Sequence, residues 1–277
     1  MPIMGFPIGY QGAFPIDVEV PGAPSGFDPD AAAYIAAVET ADGEPLEEGV
    51  KLAWDEFFKY LKSTQDGGEI WSKINLLGWL GQRTLAAALI HSKGPSNLIN
   101  NGVVSGQLNR LTGVSGSGAS DFDTNYSNLT DGQDDHHRAI YATSLQDSGF
   151  GHVFSKSDEQ DSVIFWNANA NQVSFLSATT TANSFAHSPT KSFIGFSRNN
   201  ATNYIARLNN STSTVSRDSN SWTGNNLFIL SRGEVSSVTS GTRILSYSAG
   251  GAIGDTGLQK LRNAWITLET NITQALL

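Results

Sequence analysis

Residues 162–178 read SVIFWNANANQVSFLSA, and this stretch indicates the fold class more clearly than any other. Two short runs rich in aromatic and β-branched residues, 162–167 and 172–178, lie on either side of an Asn-rich link. Such runs are typical of β-strands, and asparagine tolerates the left-handed backbone conformation that turns use. The stretch therefore predicts two strands joined by a turn.

The same pattern recurs on both sides of this stretch. Further strand-like runs occupy residues 136–143, 151–156, 192–198, 204–208, 214–218, 226–231 and 242–248. Short runs at roughly ten-residue spacing, with turn residues between them, are typical of an antiparallel β-sandwich or jelly roll. We therefore predict a mainly β protein whose sandwich domain comprises residues 95–254.

Residues 28–94 are predicted to form a small helical region. Asp28 can cap a first helix that Gly43 ends. Residues 47–62 carry apolar side chains at the spacing of an amphipathic helix with many aromatic residues. The apolar segment 70–90 is assigned to the same region. This region is expected to be a packing layer rather than a functional site.

Residues 255–277 are predicted to form a C-terminal helix with one apolar stripe. The residues of this stripe, spaced three and four apart, are Leu258, Leu261, Trp265, Leu268 and Ile272. Such spacing is that of a short coiled-coil seam. Two arrangements fit it: the stripe docks on the helices of residues 28–94, or it packs around the symmetry axis of a homo-oligomer. A homotrimer is the preferred oligomer, because a short axial helix suits three-fold assembly.

Residues 1–27 are predicted to form an extended, Pro-rich arm. Residues 1–29 contain six of the nine prolines, and proline fixes φ and lacks a backbone donor. The apolar side chains of the arm, which a disordered tail normally lacks, include Phe6, Tyr10, Phe14 and Ile16. An arm that docks on a partner is the preferred interpretation, and a floppy terminus is the alternative.

The composition limits the functional classes. The chain has a formal net charge of −9, only 16% charged residues and no cysteine. Phosphate binding needs clustered Lys and Arg, so no nucleic-acid partner is expected. The lack of cysteine excludes a disulfide scaffold and a thiol nucleophile. No apolar stretch approaches the ~20 residues of a membrane span and the start lacks a signal-peptide pattern, so no membrane insertion is expected.

Asp121 and Asp123 form the one candidate carboxylate pair. They would share a strand face if the DFD segment is extended. A carboxylate pair can hydrolyse glycosides, and carboxylates with neighbouring oxygen ligands can hold Ca²⁺. A sandwich glucanase would be expected to carry a Glu-x-Asp-x-x-Glu run on a strand, and none is found. We therefore expect no enzyme activity, no catalytic residue and no cofactor, with Ca²⁺ at this pair and a glycan depolymerase kept as alternatives.

The run Asp134-Asp135-His136-His137 contains residue types that bind metals. Adjacent residues on a strand point to opposite faces and rarely converge on one ion. A solvated hairpin mouth is therefore the preferred interpretation of this run, and a metal site is the alternative.

Carbohydrate binding would need exposed aromatic rings beside amide groups, because sugars present C–H faces and hydroxyls. Aromatic candidates in the predicted sandwich are Trp166, Tyr204 and Trp222, with Tyr126 and Tyr247, and the amide candidates are Asn167, Asn169 and Asn225. The preferred set is Trp166, Tyr204, Trp222 and Asn167. Most aromatic residues on alternating strands are core residues, so each candidate also has a purely structural interpretation.

Several segments together resemble one family. They are AAAYIAAVETADG (31–43), EIWSKINLLGWLGQRTLAAAL (69–89), the NRLTG link (109–113) and the terminal helix. Their order across residues 28–277 resembles a group of tailed-bacteriophage virion proteins whose C-terminal part is a concanavalin A-like lectin/glucanase sandwich.

The resemblance implies a jelly-roll sandwich and a structural role on the particle surface, as a tail fibre, receptor-binding protein or head decoration. It implies no enzyme activity. On this basis we expect the arm of residues 1–27 to bind other virion proteins and the sandwich to face outward. Host-surface glycans are the candidate ligands, and assembly into the virion is expected in the bacterial cytoplasm.

Overall fold

Two antiparallel β-sheets and three long helices make up most of the computed structural model, which describes residues 26–116, 120–145, 150–156, 162–179, 182–187, 190–220, 224–231 and 241–277. The predicted docking residues Phe6, Tyr10, Phe14 and Ile16 lie outside the described residues. The predicted β-sandwich class is confirmed.

The helices are α1 (Pro29–Asp42), α2 (Glu48–Lys62), the single turn α3 (Leu85–Ala88) and α4 (Gly254–Ala275). The strands are β1 (Ile74–Trp79), β2 (His91–Lys93), β3 (Ile99–Asn101), β4 (Leu108–Asn109), β5 (Gly113–Ser115), β6 (Asp121–Ser127), β7 (His136–Ser144), β8 (Phe150–Lys156), β9 (Ser162–Asn167), β10 (Gln172–Ser177), β11 (Asn183–Ala186), β12 (Ser192–Arg198), β13 (Asn203–Leu208), β14 (Ser211–Ser216), β15 (Asn226–Ile229) and β16 (Arg243–Gly250).

The strands form two sheets, which we name sheet A and sheet B. Sheet A follows the order β14-β13-β12-β7-β16-β1-β2, with β5 paired to β16 and β4 paired to β5. Sheet B follows the order β11-β10-β9-β8-β15-β6-β3. Each adjacent pair within these orders is antiparallel. The nine strand runs predicted from the sequence all coincide with observed strands, within a few residues at their ends.

The Asn-rich link of residues 167–171 forms the predicted turn between β9 and β10. The Asn167 side chain accepts a hydrogen bond from the Ala170 amide at 3.2 Å. Asn171 adopts a left-handed conformation with φ of 49°. The two strands then pair with Asn167 opposite Gln172. Asparagine thus supplies both the cap and the positive φ that the turn requires.

Strand β12 is buried on both faces, because sheet A has a layer on each side. Ile194 and Phe196 lie in the core between the two sheets, where Phe196 meets Phe175 with ring centroids 6.3 Å apart. On the opposite face, Phe193 packs against Trp265 of α4 at 5.4 Å. Since side chains alternate across a strand, the first core belongs to the sandwich and the second to a layer of helices on sheet A.

The first two helices follow the sequence prediction closely. The Asp28 carboxylate accepts hydrogen bonds from the amides of Asp30 and Ala31, at 3.0 and 3.4 Å, and so caps α1. Gly43 follows α1 with φ of 74°, the left-handed conformation common at helix ends. The second helix, α2, begins at Glu48 rather than residue 47.

The chain enters α1 through a polar contact with α2, which we name the α1–α2 clamp. Lys59 Nζ donates to the carbonyl oxygen of Gly26 at 2.9 Å. The amide of Asp28 donates to Asp55 Oδ1 at 2.6 Å, and Lys62 Nζ donates to Asp28 Oδ1 at 2.6 Å. These bonds fix the start of α1 on the side of α2.

Lys260 of α4 is fully buried beneath the end of α2. Its Nζ donates to the carbonyl oxygens of Ser63, Gln65 and Gly68 at 2.6 to 2.9 Å. Burial lowers the pKa of this ammonium group. The three carbonyl bonds compensate for part of the desolvation, and they tie α4 to the loop that follows α2.

The segment 70–90, predicted as helical, instead contains β1, which lies between β16 and β2 in sheet A. Residues 74–79 read INLLGW and are buried on both faces, because helices cover one face and sheet B the other. A short apolar run of this kind cannot be assigned to helix or strand by periodicity alone. The boundary predicted between residues 94 and 95 is therefore wrong, because sheet A includes β1 and β2.

The apolar stripe of α4 is covered within a single chain. Its residues Leu258, Leu261, Trp265, Leu268 and Ile272 are at most 3% exposed and pack with α2 and sheet A. The docking arrangement is thus the one observed, and it corrects the predicted oligomer seam, since a covered stripe cannot also pair with another chain. Among the helices that the structure describes, none has the length and apolar character needed to cross a membrane.

Candidate functional site

A cavity of about 440 Å³ opens where β1 of sheet A approaches β6 and β15 of sheet B, and we name it the amide cavity. Its lining residues carry amide, hydroxyl or carbon groups, and they are Asn75, Pro95, Asn125, Tyr126, Ser127, Thr130 and Asn226. The volume lies within the roughly 300–1,000 Å³ of typical small-molecule sites. None of these seven described residues is charged.

A local irregularity in β6 shapes one wall of the amide cavity. Ser127 pairs with Asn226, and Asp123 pairs with Phe228, so β6 advances four residues where β15 advances two. Within this bulge Asn125 adopts a φ of 52°, and its backbone N–H donates a hydrogen bond to Asp123 Oδ1 at 2.7 Å. Bulges redirect side chains, and this one places residues 125–127 around the opening.

A buried ion pair contacts two of the residues that line the amide cavity. Arg138 Nη1 donates to Asp131 Oδ2 at 2.7 Å, and both side chains are at most 1% exposed. Asp131 Oδ1 accepts hydrogen bonds from Tyr126 Oη at 2.5 Å and from Asn75 Nδ2 at 2.9 Å. Burial and the adjacent Asp131 charge raise the pKa of Tyr126, which keeps its hydroxyl protonated as a donor. The pair therefore fixes one lining residue from each sheet.

A second carboxylate orients the rim of the amide cavity. Asn226 Nδ2 donates to Asp123 Oδ2 at 3.0 Å. Asn125 Nδ2 donates to Ser96 Oγ at 2.6 Å, next to Pro95. With these bonds, the Nδ2 atoms of Asn75, Asn125 and Asn226 all have partners. Their Oδ1 atoms accept no hydrogen bond from the described part of the chain, so three amide oxygens remain for a ligand.

The amide cavity suits a ligand that donates hydrogen bonds. Amide oxygens accept but do not donate, whereas the Ser127 and Thr130 hydroxyls do both. Tyr126 is 2% exposed, so its ring forms a fixed wall rather than a stacking platform. The ring of Pro95 is exposed at the rim and offers a small carbon surface. Polar groups on a rigid frame, not aromatic stacking, therefore dominate this site.

The preferred aromatic candidates for sugar binding do not lie at the surface. Trp166 and Tyr204 are 0% exposed and belong to the core between the sheets, which corrects their assignment as binding residues. Both lie on the inward face of their strand, where an apolar ring gains most from burial. Asn167 caps the turn before β10, and Trp222 lies outside the described residues.

Asp121 and Asp123 share one face of β6, as the sequence predicted for an extended DFD segment. Asp121 is 7% exposed and accepts a hydrogen bond from Asn101 Nδ2 at 2.7 Å. Asp123 accepts its bonds from Asn125 and Asn226. Across the described ranges, no three His, Asp or Glu side chains converge on a point that could hold a metal ion. Calcium at this pair stays a prediction.

His136 and His137 point to opposite faces of β7, and both are fully buried. His136 Nε2 lies 3.0 Å from Ser177 Oγ, whereas His137 Nε2 lies 2.9 Å from Ser248 Oγ. Burial lowers the pKa of both imidazoles, that of His137 to about 4. The two rings therefore do not converge on one ion, and the predicted solvated hairpin mouth is wrong for these two residues.

Sequence reasoning missed most of the amide cavity. Asn75 was assigned to a helical segment, and Asn226 to the end of a strand with no binding role. Tyr126 was considered, but as a stacking ring rather than as a fixed wall. The signal was weak because asparagine is abundant throughout this sequence, and only the folded arrangement of β1, β6 and β15 brings these three to one opening.

No protein-family model matches the chain, and no curated protein matches it. Among solved structures, the binding domain of botulinum neurotoxin serotype D is similar, at 9% identity and a TM-score of 0.50, over 70% of this chain and 51% of that one. A botulinum neurotoxin type C structure is similar at 12% identity and a TM-score of 0.51, with the same coverages.

A Trypanosoma rangeli sialidase in complex with 2,3-difluorosialic acid is similar at 9% identity and a TM-score of 0.52, over 80% of this chain and 39% of that one. The chain thus spans about half the length of the toxin domains and two fifths of the sialidase. At such low identity the likeness concerns the fold alone. It agrees with the two antiparallel sheets of the β-sandwich described above.

Proposed function

We propose that this chain is a non-enzymatic structural protein of a tailed-bacteriophage surface whose sandwich binds host-surface glycans through the amide cavity. The observation that carries the binding role is the set of three amide oxygens held by bonds to Asp131, Asp123 and Ser96. Sugar hydroxyls are the common biological ligands for such an array, since each can donate to an amide oxygen and accept from a neighbouring hydroxyl. The placement on a virion rests on the resemblance of residues 28–277.

The surroundings of the amide cavity favour binding over hydrolysis. A glycosidase needs a carboxylic acid that donates a proton to the leaving oxygen. Asp131 faces three donors, Arg138, Tyr126 and Asn75, so its carboxylate only accepts. Asp123 likewise accepts hydrogen bonds, from the backbone N–H of Asn125 and from Asn226 Nδ2. A carboxylate held in this way is suited to positioning neighbours and not to acid catalysis.

Two structural neighbours support a glycan ligand by analogy of fold. Cell entry of botulinum neurotoxin type C depends on its interaction with two ganglioside molecules. The sialidase structure contains a sialic acid derivative. Likeness of fold at this level favours a carbohydrate ligand, but it assigns no binding residue in this chain, because proteins with the same fold carry their functional sites at different places.

Binding and hydrolysis are separated by one experiment on the intact chain. A glycan array should give selective binders, and incubation with those glycans should release no reducing ends. Asn226→Ala removes one amide oxygen and should weaken binding at least tenfold. The matched control is Asn271→Ala on α4, which loses the similar hydrogen bond to Glu56 at 3.1 Å and should bind normally. Release of reducing ends would favour the depolymerase, and an array with no binder would contradict the glycan role.

The virion role is tested on particles purified from lysates that contain the chain. Immunogold labelling with antibody against the whole chain should mark the particle surface, and deletion of residues 1–27 should abolish incorporation. Particles without label would contradict the virion role, and normal incorporation of the shortened chain would contradict the docking role of the arm.

A further inference from the structure

We infer that the amide cavity selects glycans by charge, accepting neutral hydroxyl-bearing sugar units and excluding sialylated or other anionic ones. This inference rests on the proposed glycan-binding function and specifies the ligand class of the same site. It also separates this chain from the sialic acid chemistry named for its structural neighbours.

The first argument is the polarity of the hydrogen bonds that remain. The Nδ2 atoms of Asn75, Asn125 and Asn226 each donate one hydrogen bond, to Asp131, Ser96 and Asp123, while their Oδ1 atoms have no donor among the described residues. Each amide therefore offers a ligand one oxygen acceptor and one further N–H. A sugar hydroxyl can use both groups, whereas a carboxylate can only accept and leaves the three oxygens without a donor.

The second argument is the local charge. Arg138 reaches the lining residues only through Asp131, and its charge is balanced within that buried pair. Asp123 accepts one hydrogen bond from Asn226 Nδ2 and another from the backbone N–H of Asn125. It forms no ion pair with the residues that the structure describes. An uncompensated negative charge thus stands directly behind the rim. Asp123 is partly exposed, so an incoming carboxylate would meet a like charge whose repulsion depends on the ionic strength.

The third argument is that the described lining residues include no cationic side chain that could bind an anion. Proteins bind carboxylates through Arg forks, Lys or clustered backbone amides. The described lining offers three asparagines, two hydroxyl residues, one tyrosine and one proline. The net charge of −9 adds a long-range field of the same unfavourable sign.

The test compares matched pairs of neutral oligosaccharides and their sialylated forms, for example lactose and 3′-sialyllactose, on an array and by titration with the intact chain. Neutral members should bind, and each sialylated partner should bind at least tenfold more weakly at low ionic strength. The discrimination should shrink as salt is raised, because the repulsion is screened.

Two variants identify Asp123 as the source of the discrimination. Asp123→Asn removes the charge but keeps an oxygen that can accept from Asn226, so the ratio of sialylated to neutral affinity should rise at least threefold, whatever the change in absolute affinity. Glu48→Gln, at an exposed position on α2, lowers the net negative charge equally and should leave that ratio unchanged. Tighter binding of sialylated than neutral members would overturn the inference and leave glycan binding intact. Binding of no member would overturn the proposed function and the inference with it.

Discussion

Asp131 accepts hydrogen bonds from side chains on three different strands, and two of those side chains line the amide cavity. Asn75 belongs to β1, Tyr126 to β6 and Arg138 to β7. Burying two charges costs several kcal/mol of desolvation, and a buried pair rarely repays more than that cost. The pair is therefore best understood as a positioning device that fixes one residue from each sheet.

Replacing Asp131 with Asn should destabilise the protein strongly. The substitution leaves the Arg138 charge buried without its counter-charge, which typically costs about 3–5 kcal/mol. The urea midpoint of unfolding measures this change. The control is Glu44→Gln, which breaks the pair with Arg83 in which Glu44 is 73% exposed. That loss should be about 1 kcal/mol or less, and equal losses for the two variants would contradict the argument.

His137 makes the stability depend on pH in a defined direction. Its pKa of about 4 in the folded protein lies below the ordinary value of 6.5. Between these values the unfolded chain binds the proton and the folded chain does not, so the free energy of unfolding falls as the pH falls. From pH 7 to pH 5 this single group should remove about 2 kcal/mol.

Urea unfolding at pH 7, 6 and 5 checks this expectation. The variant His137→Gln cannot titrate and should lose less stability over the same interval. His136, buried on the other face of β7, has a lowered pKa as well and contributes in the same direction. Parallel curves for the two proteins would show that His137 is not responsible.

At the scale of single elements, sequence reasoning succeeded where one face of an element differs from the other. Helix α2 carries such contrast, whereas strands β9 and β10 are marked by the Asn-rich turn between them, and each of the three lies within a residue of its predicted bounds. Strand β1 carries none, because helices cover one face and sheet B the other. The amide cavity could not be predicted, because it depends on the bulge in β6, and no local sequence pattern indicates that bulge.

The lack of a side chain at Gly78 on β1 leaves room for the ring of Tyr247 on the neighbouring strand β16. A Cβ at residue 78 would lie 2.1 Å from ring atoms of Tyr247, whose side chain fills the space beside the strand. Gly78→Ala should therefore destabilise the protein by about 1–3 kcal/mol or more through overpacking. Thermal denaturation measures the change. Gly106→Ala, where no atom lies within 4 Å of the new Cβ, is the control and should be nearly neutral.

At the scale of the whole molecule, sheet A is shared by both cores. Its strands contribute Ile194 to the sandwich core and Phe193 to the core under the helices. A unit with a common wall is expected to unfold in one transition, since neither core survives the loss of the sheet. The sandwich and the helical layer are therefore not separable domains.

A fragment of residues 95–277 tests this view, because it keeps α4 but lacks β1, β2, α1 and α2. It should be insoluble or show no cooperative thermal transition. The control fragment, residues 26–277, keeps every described element and should unfold sharply. A cooperative transition in the shorter fragment at the midpoint of the longer one would mean that the sandwich is an independent domain after all.

The α1–α2 clamp has a mechanical consequence for a protein that is held by its N-terminal residues. Tension applied ahead of Gly26 reaches Lys59, Asp55 and Lys62 of α2 before it can peel α1 away. From α2 the pull passes through the Lys260 contacts into α4 and then into sheet A. Tension would thus be shared by contacts on α2, on the loop after α2 and on α4 before it reaches sheet A. If the proposed arm anchors the chain, these contacts would oppose unfolding of the helices under load.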